Sequence, residues 1–184
     1  MAAFHRSNSS RLRRYSPERT DATEKVYKTL DQLRLDRDEV ILVGSAALAR
    51  YGVLPPSGHD AKKNKARPGD VDFVSTQGYY AELERNGTAS GLTARVKKNL
   101  GGPPILLIPT RILSADIISH DRHASERSDA KWRQKISRES VAVDGTNMCV
   151  ATPAKLKQEL ASRARLDSKA RADLIALRDR FTDL

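Results

Sequence analysis

The run Val40-Ile41-Leu42-Val43, closed by Gly44-Ser45 and continued by Ala46-Ala47-Leu48, limits the fold more tightly than any other segment. Four consecutive apolar residues rich in β-branched side chains read as a buried strand. Gly44 stops it, and the Ala/Leu-rich stretch from Ser45 to Tyr51 predicts a short helix ended at Gly52. A strand that passes through Gly-Ser into a helix places free backbone N–H groups and a hydroxyl at the turn, where they can hold an anion. Taken alone, the same pattern is also an ordinary junction with a serine cap.

The rest of the chain supports one α/β core. Residues 1–19 are rich in Arg and Ser and read as a flexible basic tail. A helix starts near Thr20 or Asp21 and puts Val26, Leu30 and Leu33 on one face. Leu54 to Gly69 is a long loop, Val71 to Ser75 a strand, and Gly78 to Arg85 a helix. After a poorly patterned middle come strands at Ile105–Ile108 and Ile112–Ile118, then a polar helix at Ser125–Arg138. Val141–Val143 and Met148–Val150 predict a hairpin around Asp144-Gly145. Thr152-Pro153 opens a helical ending, with proline at the first helical position. The expected organisation is a tail (1–19), a core (20–151) and a C-terminal helical region packed on it (152–184).

Composition narrows the function classes. Of 184 residues, 39% are hydrophobic and 30% charged, which suits a soluble globular chain. No apolar run approaches bilayer length, no secretory signal follows the basic N-terminus, and Cys149 is single, so a reducing cytoplasm is the expected location. The net charge of +10 gathers in three clusters: Arg11–Arg14, Lys62–Arg67, and Arg163, Arg165, Lys169 and Arg171. A polyanion such as nucleic acid or a nucleotide is the partner that such charge suits.

Asp70 and Asp72 lie two apart on a strand, so their carboxylates project from the same face about 6.5 Å apart. Aspartate is a poor strand former, and two of them repel unless a cation neutralises them. Asp116 interrupts a further strand, where a charge is costly if buried without a partner. If that strand lies beside the Asp70/Asp72 strand, three carboxylates converge into a two-metal site for phosphoryl or nucleotidyl transfer. His120 and His123 flank Asp121-Arg122 and read as loop residues near the site mouth. Trp132 and Tyr79-Tyr80 read as packing residues.

Strand, Gly44-Ser45, helix, Asp70-x-Asp72 and a later lone Asp116 is an order similar to that of the nucleotidyltransferase superfamily. The short chain resembles its AbiEii-type group, which includes toxins of bacterial toxin–antitoxin pairs. Ala151-Thr152-Pro153 with Leu156, then Lys169 four residues before Asp173, carries that narrower likeness, and Arg67 fits the Arg-x-x-Asp-x-Asp form. The resemblance implies a mixed sheet flanked by helices and transfer of a nucleoside monophosphate from a nucleoside triphosphate. It implies that Asp70, Asp72 and Asp116 bind two Mg2+ ions and that Gly44, Ser45 and Arg67 hold the triphosphate. Lys169 and Asp173, on one helical face by their spacing, would support the nucleotide; a surface ion pair is the alternative.

The resemblance and the charge together point to RNA, tRNA in particular, as acceptor, and to a cognate antitoxin as partner. Two other readings stay open: an antibiotic or protein acceptor, and a catalytically silent relative that binds RNA or protein.

Overall fold

The computed structural model describes residues 21–53, 70–98, 103–123, 128–142 and 149–182. The expected basic tail, the loop with Lys62–Arg67, and the Asp144-Gly145 turn lie outside them.

In chain order the elements are α1 (Asp21–Leu33), β1 (Val40–Val43), α2 (Gly44–Arg50), β2 (Asp70–Ser75) and α3 (Gln77–Asn86). A small hairpin, β3 (Thr88–Ala89) and β4 (Leu92–Thr93), precedes β5 (Arg95–Lys97), β6 (Ile105–Ile108) and β7 (Ser114–Ser119). Then follow α4 (His120–His123), α5 (Asp129–Glu139), β8 (Ser140–Ala142), β9 (Cys149–Ala151), α6 (Pro153–Arg163) and α7 (Ser168–Arg180). Among the described residues, seven strands form one sheet in the order β5-β6-β7-β2-β1-β9-β8. It is mixed: β1 pairs antiparallel with β2 and parallel with β9, and β2 pairs parallel with β7. The α/β class and mixed sheet flanked by helices expected from the sequence are therefore present. No helix among the described residues is long and apolar enough to cross a membrane.

β1 is buried at all four positions because strands pair on both its edges and helices cover its faces. Val71, Phe73, Leu106, Ile117 and Val150 fill the core with essentially no exposure. The C-terminal helices join this core through Leu156 and Leu177, and Phe181 packs edge-on against Tyr51 (centroids 5.8 Å apart). Thr152 caps α6 by accepting from the Lys155 N–H, with Pro153 in the first turn.

The poorly patterned middle holds the hairpin β3/β4 and the edge strand β5, which the sequence reading did not find. The hairpin strands are two residues each, and all three β5 residues are exposed, so neither leaves an apolar period to read.

The His120 expectation is corrected. His120 is not a loop residue at a site mouth: it is fully buried where β7 passes into α4. Its Nε2 lies 2.7 Å from Asp129 Oδ1, and its ring stacks on Trp132 at 5.2 Å. Asp129 also accepts from the Gln77 and Gly78 N–H groups (2.7 and 2.9 Å) at the start of α3. One carboxylate thus ties the residue after β7 to the helix after β2, clamping the ends of two neighbouring strands. Next to it, Thr76 caps α3 and donates to Glu39, which accepts from Arg133 Nε at 2.8 Å.

Burial pulls the Asp129 carboxyl upward, but the Gly78 N–H, His120 and the Gln77 N–H together hold it below the ordinary range. Its stabilisation is complete above the unfolded carboxylate value of about 3.9 and is lost as pH falls through the lower folded value. Asp129→Ala should cost about 2 kcal/mol in urea unfolding at pH 7. That gap between variant and wild type should narrow only below about pH 4.

Candidate metal centre

The parallel pairing of β2 with β7 sets Asp72 directly opposite Asp116, with Asp70 opposite Ser114. Neighbouring strands are about 4.8 Å apart, and residues in register share a face, so the carboxylates stand side by side. Asp70, Asp72 and Asp116 each offer a carboxylate oxygen, and the three atoms lie within 4.8 Å of one another. All three residues are half-buried. The strands tolerate such poor strand formers because their other face is sealed: Val71, Phe73, Ala115 and Ile117 are fully buried.

Gly44 closes the centre from the side. Val43 sits opposite Asp72 on the third strand of the row, and the chain then turns into α2 through Gly44 with φ +67°. A Cβ built on Gly44 would come within 2.5 Å of Asp72 Oδ2. The glycine is therefore required twice, once for its backbone angle and once for the carboxylate it faces.

Among the described residues, the electrostatics are those of an acidic cluster short of positive charge. Burial, then Asp70 and Asp116, push the Asp72 pKa up to about 6, against an opposing pull from Lys169 and Arg163. Burial and Asp70 raise Asp116, with Lys97 opposing. Asp116 Oδ1 is buried with no hydrogen-bond partner among the described residues. A hard divalent cation fits such a set: close oxygen ligands, repelling negative charge and an orphaned lone pair.

A cleft of about 250 Å3 opens between this face and α6, lined by Gly44, Asp72, Leu156, Glu159 and Arg163 among others. Ser45 is buried in the first turn of α2. Lys169 is exposed in the first turn of α7, its N–H capped by Asp167, whereas Asp173 on the same helix is buried. A surface ion pair therefore does not describe Lys169 and Asp173. Arg67 lies outside the described residues.

Two residues gain weight that the sequence did not give them. Arg163 read as one of several basic residues, yet it lines the cleft and pairs with Asp167 at 3.2 Å. Arg50 is fully buried at the end of α2, with its guanidinium carbon 3.7 Å from the centre of the Tyr27 ring. Only the basic cluster hinted at the first, and nothing in the local pattern marked the second.

No protein-family model matches the chain, and no curated protein matches it either.

Two outcomes follow from the geometry. Asp72→Asn removes one of the repelling charges and should raise metal-free stability at pH 8 by about 2 kcal/mol, the reverse of the usual direction for a half-buried substitution. Gly44→Ala should lower stability by about 1–3 kcal/mol through its backbone angle and the displaced carboxylate. Denaturant titrations in EDTA measure both.

Proposed function

We propose that the chain is a magnesium-dependent nucleotidyltransferase that moves a nucleoside monophosphate from a nucleoside triphosphate to RNA. The observation that carries this reading is the in-register Asp72/Asp116 pair with Asp70, three carboxylate oxygens within 4.8 Å of one another beside the Gly44 turn. The likeness of motif order to the nucleotidyltransferase superfamily supports it. The AbiEii-type ending further suggests the toxin of a toxin–antitoxin pair in the cytoplasm, with tRNA as acceptor and a cognate antitoxin as partner.

In this mechanism Asp70 and Asp72 would hold the metal, and Asp116 would complete a second position. The bound Mg2+ would supply Lewis-acid stabilisation of charge on the transferring phosphoryl oxygens. Arg163 and Lys169, whose charge already acts on Asp72, bind the triphosphate together with the Gly44-Ser45 turn. The acceptor hydroxyl oxygen forms a bond to the α-phosphorus while the bond from that phosphorus to the pyrophosphate oxygen breaks. Pyrophosphate leaves, and the hydroxyl proton passes to Asp116. In-line attack requires acceptor and pyrophosphate to occupy opposite sides of the α-phosphorus.

The test incubates the full chain with each labelled nucleoside triphosphate, Mg2+ and total RNA. Label should enter tRNA with one preferred nucleotide and vanish in EDTA. Asp72→Asn and Asp116→Asn should each lower transfer more than about 100-fold. Mg2+ should raise the melting temperature of the wild type but not of Asp72→Asn. Label entering the protein itself would replace the RNA acceptor by a protein one. No label with any nucleotide, together with RNA binding that Asp72→Asn leaves unchanged, would overturn catalysis altogether.

A further inference from the structure

The row that carries the acidic pair does not end at Asp116. Asp116 lies opposite Leu107 on β6, and Leu107 lies opposite Arg95 on β5, so Arg95, Leu107, Asp116 and Asp72 share one face in register. Lys97, two residues along β5, is on that face as well, opposite Ile105. Arg95 and Lys97 are exposed, and only the half-buried Leu107 separates Arg95 from Asp116. Two strand spacings put Arg95 about 10 Å from Asp116 between backbones, within reach of its long side chain. On the Asp72 side, Arg163 of α6 lines the cleft.

The cations thus divide between the two sides of the centre. With the triphosphate held by Arg163 and Lys169, in-line geometry brings the acceptor in from the Asp116 side. There it meets two positive charges about 6.6 Å apart along an extended strand. We propose that Arg95 and Lys97 form the docking strip for a single-stranded RNA end, placing its terminal hydroxyl at Asp116. This deepens, and rests on, the nucleotidyl-transfer reading. Positive charge at this point suits a phosphodiester backbone and repels a polycationic antibiotic. The purely structural account is that charges on β5 keep an edge strand from pairing with another chain.

Anisotropy of a fluorescent single-stranded RNA 12-mer, with full-length protein in EDTA and no nucleotide, measures docking apart from chemistry. Arg95→Ala/Lys97→Ala should bind about tenfold more weakly, and its log–log salt slope should fall by about 1.4, two phosphate contacts at about 0.7 each. The matched pair Lys25→Ala/Lys28→Ala on α1, a helix outside the sheet row that carries the strip, should change affinity less than about twofold. The melting temperature and its Mg2+ response should stay as in wild type for both pairs; if the alanine pair fails to fold, Arg95→Gln/Lys97→Gln replaces it. Unchanged affinity and slope, an equal loss in the α1 pair, or a wild type that does not bind the RNA would overturn the strip. A wild type that binds RNA through the strip but transfers no nucleotide and ignores Mg2+ would instead overturn the catalytic reading and leave the docking intact.

Discussion

The structure is organised around an unfavourable contact: Asp72 and Asp116 face each other across a parallel strand pair, with Asp70 beside them. Side-by-side carboxylates repel, and partial burial strengthens the repulsion by lowering the local dielectric. Nothing in the backbone chemistry of parallel strands favours this register over one shifted by two residues. The register must therefore be held by other contacts strong enough to bear the repulsion. The sealed apolar face supplies one part, since a one-residue slip would turn Phe73 and Ile117 out of the core.

The clamp at the far end supplies another. Gln77 follows β2 and His120 follows β7, and Asp129 bonds to both. A two-residue slip would keep the apolar alternation but would tear this junction apart. Here burial of a polar group fixes which residues meet some distance away, rather than only adding stability. His120, the buried histidine of that junction, is best understood as part of the register and not as part of the chemistry.

What the sequence made legible divides along local and non-local lines. β1 and α2 were readable because four apolar residues, a glycine and a helix-forming run state their structure within ten positions. The Asp70/Asp72 pair was readable as a motif because aspartate is out of place in a strand. Its convergence with Asp116 was only conditional, because it depends on β2 and β7 pairing across more than forty residues. His120 was misplaced for the same reason: its neighbours Asp121 and Arg122 are polar, while its burial comes from Asp129 and Trp132 on another helix. β5 escaped because Arg-Val-Lys carries no apolar alternation, although tertiary pairing makes it a strand. Arg163 was seen only as charge, since a helix positions it over the cleft.

Net charge alone is a poor guide to a partner, because +10 serves solubility as well as binding. Placement is more informative. Arg163 and Lys169 come from the C-terminal helices and act on Asp72, whereas Lys97 comes from the edge strand and acts on Asp116. Positive charge meant simply to relieve the acidic cluster would sit against the carboxylates, and Asp116 Oδ1 has no such partner among the described residues. Among the described residues the cations instead stand back on either side of the centre. That arrangement keeps room for a cation between the carboxylates and for an anionic group on each flank. The proposed transfer, which joins one polyphosphate to another anionic chain, asks for that geometry, whereas a one-ligand site would need cations on only one side.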